Sequence, residues 1–156
     1  MLVYRITRSI YSNKLSGEGA KLYGGRWNHK GTALVYSSAH ISLAFLELLV
    51  NADPSELENE FKIIVIHIPD LLEIKCLEHS HLREEWRNHS GDESRNLGTR
   101  WCLANQEAIL AVPSAVIPFE YNYLLNPSHP DFTRISIDKV LDLEIDTRFK
   151  DQKKRS

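Results

Sequence analysis

Cysteine is scarce in this chain. Only Cys76 and Cys102 occur among 156 residues, with no CxxC spacing between them. That excludes a disulfide scaffold and a thiol-built metal knuckle, and it fits a reducing, cytosolic setting. Long apolar runs are absent as well: no stretch reaches the roughly 18 residues that a membrane span requires. The N-terminal MLVYRITRSIYSNK carries charge every few residues and lacks the apolar centre of a signal peptide. The expectation is a cytoplasmic protein without membrane contact. Charge of one sign is missing too. Nineteen Lys and Arg stand against 21 Asp and Glu, for a net charge of −2, which argues against a surface built chiefly to coat nucleic acid.

Several motifs are also lacking. There is no GK[ST] phosphate loop, no GxGxxG opening a helix, no HExxH and no GxSxG elbow. Seven histidines are present, yet His79 and His81 stand two apart with no ligand spacing around them, so no metal is expected. Arg83, Arg87, Arg95 and Arg100 are interleaved with Glu84, Glu85, Asp92 and Glu93. That pattern reads as a solvated mixed surface, not a phosphate-tracking groove.

What is present is one domain's worth of chain, enough to bury about 70% of its unfolded surface. Apolar content is 42% and charged content 26%, close to globular averages. Leu2 to Thr7 alternates as a strand, and 9–27 reads as a long Gly-, Ser- and Asn-rich loop, a length that tends to be functional. Gly31 to Ser37 reads as a strand, with Ser37 or Ser38 as N-cap of a helix over Ala39 to Val50. A turn follows, with Ser55 and Glu58 as a weak capping box. Phe61 to Ile68 is β-branched and stopped by Pro69, and Leu72 to Leu77 continues as a further strand. Residues 78–98 are polar and expected at the surface. Thr99 to Gln106 reads as a short helix, Ala108 to Val112 as a buried strand, and Tyr121 to Leu125 and Ile135 to Ile145 as further strands. About six strands and three helices in mixed order predict a single α+β domain over 1–150, a mixed sheet with flanking helices. The basic tail 151–156 is expected to fray.

Five residues stand out. Glu47 is the one carboxylate in AHISLAFLELLV, a helix apolar on nearly every side. Such a helix is normally buried, and a buried carboxylate must be paired, protonated or turned to a polar cavity. Arg26 follows four glycines in GEGAKLYGGRWN. Glycines let backbone approach a ligand, and a guanidinium suits a phosphate or carboxylate bidentately; a plain glycine turn with a surface arginine is the other reading. Trp27 reads as a core anchor. Tyr36 ends a strand where cleft edges commonly lie, or is a core tyrosine with a satisfied hydroxyl. Ser114 follows a buried strand in VPSA and suits a hydrogen-bond donor better than a nucleophile.

Taken in order, YRITR, LSGEGAKLYGGRWNHKGTALVYSS, SLAFLELLV, AVPSAVIP and NYLLNPSHPDF resemble the RES-domain family, the toxin half of RES–Xre toxin–antitoxin pairs. The likeness covers nearly the whole chain, apart from 79–97. The conserved Arg, Glu and Ser of that family match Arg26, Glu47 and Ser114, and its pocket tyrosine matches Tyr36. The resemblance implies a fold similar to ADP-ribosyltransferases and NAD as substrate, with no separate cofactor. It implies growth arrest by cleavage of the nicotinamide–ribose bond, through hydrolysis or phosphorolysis. Glu47 would stabilise charge on the ribose, Arg26 would hold the pyrophosphate or a ribose oxygen, Tyr36 would stack on the nicotinamide or ribose, and Ser114 would bind the carboxamide or a ribose. Tyr23, Arg8 and Asn126 are secondary binding candidates. The implied partner is an Xre-type DNA-binding antitoxin, in a heteromeric complex built on a toxin homodimer. Transfer of ADP-ribose to a protein acceptor is the alternative enzyme reading, and an RNA-binding or nuclease-type toxin is a remote one.

Overall fold

The computed structural model describes residues 1–88 and 91–155. Its strands are β1 (Leu2–Arg8), β2 (Val35–Ser38), β3 (Phe61–His67), β4 (Ile74–Cys76), β5 (Ile109–Pro113), β6 (Tyr121–Leu125) and β7 (Ser136–Leu143). The α-helices are α1 (Glu18–Tyr23), α2 (Ile41–Asn51), α3 (Asp92–Ala104) and α4 (Thr147–Arg155). One seven-stranded sheet runs β4-β5-β6-β2-β1-β3-β7. Only the β4–β5 pair is parallel; the other neighbours are antiparallel. The fold is α+β, as its mixed pattern predicts. No described helix is long and apolar enough to cross a membrane.

Apolar side chains fill both faces of this sheet. Ile109 and Leu125 join Val3, Val35, Ile64 and Ile66 in one buried cluster. Their neighbours Leu110 and Leu124 join Trp27, Leu34, Trp86 and Trp101 in another. Adjacent strand residues therefore feed opposite faces, as the two-residue pleat requires.

The pairing of β1 sets the position of the site. β1 matches β3 at every residue from Leu2 to Arg8, but meets β2 at Tyr4↔Ser38 alone. The sheet thus divides into β4-β5-β6-β2 and β1-β3-β7, and the two halves part beside that single junction.

Several local expectations are corrected. The 9–27 stretch is not loop throughout: Ser9–Tyr11 forms a 3-10 turn and α1 follows. α1 has only six residues, too few for an apolar period to show. The Ser37 and Ser38 hydroxyls do not cap α2. They donate to Tyr123 O and Asn122 Oδ1 across the sheet, and His40 takes the N-cap position. Before β3, Glu56 accepts from the Asp53 N–H, so the capping pair is not Ser55 and Glu58. α3 begins two turns before Thr99, because Gly91 at φ 57° turns the chain into it. α2 is not apolar-buried all round: Leu43 and Ala44 are buried, whereas Val50 is 65% exposed. Thr147–Arg155 forms α4, its first turn held by the Arg148–Asp146 pair and by Phe149 edge-on to Phe45 at 5.2 Å.

Candidate active site

A cavity of about 500 Å³ opens where β1 and β2 part, within the usual range for small-ligand sites. Tyr4, Arg5 and Ile6 of β1 line one side, and Tyr36, Ser37 and Ser38 of β2 the other. Gly24, Gly25 and Arg26 close it from the glycine-rich loop, and Glu47 and Asn122 reach it from α2 and β6.

The loop's conformation follows from its sequence. Gly24 sits at φ 71°, ψ 179°, where a side chain is strained. Gly25 lies so near Tyr36 that a Cβ there would come within 2.6 Å of the hydroxyl. That hydroxyl accepts from the Trp27 N–H at 3.0 Å and donates to Asn28 Oδ1 at 2.6 Å. Asn28, itself fully buried, donates from Nδ2 to the carbonyls of Ala20, His29 and Thr32. From behind, α3 packs against the loop at Gly98, where a Cβ would meet Trp27 O at 1.9 Å. Ser94 donates to Arg26 O at 2.8 Å. Tyr36 and Asn28 therefore fasten GGRWN from within, and α3 fastens it from outside.

Burial pushes the Tyr36 phenol up, against the Trp27 hydrogen bond and the charges of Arg26, Arg5 and Arg95. Its hydroxyl is fully engaged, so what Tyr36 offers the cavity is its ring.

Glu47 is fixed at one oxygen. Its Oε1 accepts from Ser114 Oγ at 2.8 Å and from Asn122 Nδ2 at 2.7 Å. Ser114 is fully buried and does not line the cavity; its oxygen also accepts from the Val116 and Ile117 N–H groups at 3.0 Å. In this structure Ser114 anchors Glu47, where the resemblance implied contact with the carboxamide or a ribose. No described residue hydrogen-bonds Glu47 Oε2, which is left for the cavity.

Two guanidinium groups share the site. Arg26 donates to Trp86 O at 3.3 Å and to Arg87 O at 3.5 Å. Burial lowers its pKa first; the Glu47 charge opposes this, while Arg95 and Arg87 add to it. Arg5, which sequence reasoning missed, donates from Nη1 to Tyr36 O at 3.1 Å, tying the two sheet halves together. Burial lowers its pKa, opposed by Tyr36. An arginine is charged at any working pH, so both bring positive charge to the cavity. A charged residue in the middle of LVYRITR was the available signal. For Asn122 it was one amide ahead of an apolar run in YNYLL.

The secondary candidates separate. Tyr23 lines the cavity mouth and is 79% exposed. Arg8 lies outside, paired with Glu56 at 3.2 Å, because it ends β1 beyond the divergence. Asn126 is also outside. It is fully buried, donates to Cys102 O and Asn105 Oδ1 and accepts from Ser128 N–H, which makes it a turn-holder. The polar segment after Glu78 proves partly internal. Trp86 is buried against Trp27 with ring centroids 5.7 Å apart, and Arg87 donates to Ala115 O at 2.9 Å. Among the described residues, no group of three His, Cys, Asp or Glu could hold a metal ion.

With this geometry in place, the comparisons with known proteins become specific. A RES domain model matches residues 2–146. The chain belongs to the RES-domain family. Toxin Res of Photorhabdus laumondii subsp. laumondii is 40% identical to this RES domain over 157 residues, covering 99% of this chain and 100% of that protein. Toxin Res of Yersinia enterocolitica is 38% identical over 153 residues, covering 96% and 100%. A Sphingobium protein named Prs ADP-ribosylating toxin is 36% identical over 136 residues, covering 85% and 84%. Among solved structures, a chain of the M. tuberculosis MbcT–MbcA toxin–antitoxin complex superposes with a TM-score of 0.74 at 19% identity, covering 99% of this RES domain and 89% of that chain. At that identity the likeness speaks for the fold.

Proposed function

We propose that this RES domain is the toxin of a toxin–antitoxin pair, and that its cavity binds NAD and cleaves the nicotinamide–ribose bond. The observation that carries the reading is Glu47: a carboxylate with one oxygen anchored and the other left to a cavity that also holds Arg5 and Arg26. Nicotinamide in NAD is already a cationic leaving group. It departs with the electron pair of the C–N bond, and positive charge develops on the ribose. A fixed carboxylate beside that carbon stabilises the charge, as in glycoside cleavage. Arg5 and Arg26 supply charge-assisted donors for the pyrophosphate and ribose oxygens. The Tyr36 ring offers a face for the nicotinamide or ribose. Water or phosphate then takes the ribose carbon, giving ADP-ribose or its 1-phosphate and consuming the NAD pool. That loss of cellular NAD is the toxicity, and an Xre-type antitoxin bound to a toxin homodimer restrains it in the cytoplasm.

Names among the relatives support the toxin assignment, and one also motivates a second reading. The Sphingobium protein is named for ADP-ribosylation, which would place a protein nucleophile where water or phosphate stands above. Incubation with NAD labelled in the adenylate half, with and without phosphate and with cell lysate, separates these. Nicotinamide release with label in free ADP-ribose or its phosphate supports NAD consumption. Label on a macromolecule supports transfer, and intact NAD in every arm overturns both.

A further inference from the structure

We infer that Asn122 is a positioning residue for Glu47, one whose amide is locked in a single orientation and so decides which carboxylate oxygen faces the cavity. The inference rests on the reading of Glu47 given above and deepens it. Asn122 Nδ2 donates to Glu47 Oε1 at 2.7 Å, and Asn122 Oδ1 accepts from Ser38 Oγ at 2.7 Å. Ser38 is buried. An asparagine amide can ordinarily be turned end for end. Here the reversed amide would set its carbonyl oxygen against a carboxylate oxygen, two acceptors with no proton between them. The observed orientation is the one that serves an ionised Glu47.

The sheet supplies this lock. Ser38 and Asn122 are cross-strand partners on β2 and β6, so backbone pairing fixes their spacing. Glu47 comes from α2, and Ser114 from the exit of β5. With Ser114 on the same Oε1, that oxygen holds two donors and Oε2 none from the described residues. Without Asn122, Oε1 keeps only the serine bond. The carboxylate is then free to rotate and share both oxygens with the cavity. A misplacement of this kind costs rate more than affinity, because the bulk of the dinucleotide is held elsewhere.

Two substitutions test this, with folding checked by circular dichroism. Asn122→Leu keeps the side-chain size and removes the donor. It is expected to lower kcat for nicotinamide release by about 10- to 100-fold with KM nearly unchanged. Asn122→Asp keeps the Ser38 bond and puts a second carboxyl beside Oε1. Two carboxylates this close share one proton, and that proton leaves above the ordinary carboxylate range. While it is held, the introduced carboxyl donates to Glu47 as the asparagine does. The kcat of Asn122→Asp therefore approaches wild type near pH 5 and falls as pH rises. Neither wild type nor Asn122→Leu shows that alkaline fall. Among the described residues lining the cavity, Glu47 is the one carboxyl and none is a histidine or a cysteine; the other ionisable side chains there are Arg5, Arg26, Tyr4, Tyr23 and Tyr36. A limb between about pH 5 and 9 thus belongs to the carboxyl pair.

Carboxyl carbon NMR on the same variants needs no substrate. It is expected to show a titration step above the ordinary carboxylate range in Asn122→Asp, lost when Glu47→Gln is added. Variants with unchanged kcat, or an Asn122→Asp protein without the new step, overturn the inference. If wild type leaves NAD intact while the step appears, the proposed function fails and the positioning of Glu47 by residue 122 stands.

Discussion

Replacing Tyr36 with Phe removes one oxygen and leaves the ring in place. That oxygen is the hydrogen-bond partner of two groups, the N–H of Trp27 and Oδ1 of Asn28. Trp27 is 2% exposed and Asn28 0%, so water cannot take its place without the loop opening. An orphaned buried polar group costs about 1–3 kcal/mol. Two of them set the expected loss at about 2–6 kcal/mol. For a domain of this size a kilocalorie moves the melting temperature by about 2–4 °C, so Tyr36→Phe should melt about 4–24 °C below wild type. The pH dependence sharpens the test. Burial raises the folded-state pKa of Tyr36, while an unfolded tyrosine ionises near about 10. Its contribution to stability is therefore fully present below about pH 10 and is lost as pH rises from there towards the folded-state pKa. One proton changes the slope by at most about 1.4 kcal/mol per pH unit. Urea unfolding of both proteins from about pH 7 to 11 should show a constant gap up to about pH 10 and a narrowing one above it. A melting temperature within about 2 °C of wild type, or a gap that stays flat to about pH 11, would refute the role given to this hydroxyl.

Other consequences follow from the packing and from the cavity. Gly98→Ala would put a methyl carbon 1.9 Å from the Trp27 carbonyl oxygen. Backbone on both sides must give way, so urea unfolding should show a loss of about 3 kcal/mol or more. Arg5→Met should raise KM for NAD by about 10- to 100-fold through loss of a charge-assisted contact. Arg8→Ala removes an exposed pair with Glu56, worth about 0–1 kcal/mol, and should leave KM and kcat as they are; steady-state nicotinamide release on both variants checks this.

The strands were legible where β-branched or alternating residues ran between clear stops, as in FKIIVIHIP, and β6 coincides with the span expected for it. Short helices were not: α1 and the first turns of α3 are polar and begin at glycines in the left-handed region, so no apolar period announces them. Glu47 stood out as a lone carboxylate in an apolar helix, and Arg26 as the charge after a glycine run. What the sequence could not reveal was the division of labour around them. Whether Ser114 meets a ligand or another side chain depends on where β5 ends relative to α2, a separation of 67 residues along the chain. Arg8 and Arg5 look alike in YRITR, yet the parting of β1 from β2 leaves Arg5 in the cavity and Arg8 outside it. Tyr36 carried two readings. Its hydroxyl satisfies the structural one and its ring remains for the other.

The proposed chemistry turns on Glu47, and its most direct test is the rate of nicotinamide release from NAD by wild type and by Glu47→Gln. Glutamine keeps the shape and one carbonyl oxygen for Ser114 and Asn122, while removing the negative charge. Loss of a well-placed electrostatic group typically costs about 10²- to 10³-fold in rate. The expected result is a fall of that size in kcat with a folded protein and little change in KM. A Glu47→Gln protein that releases nicotinamide at the wild-type rate would contradict it.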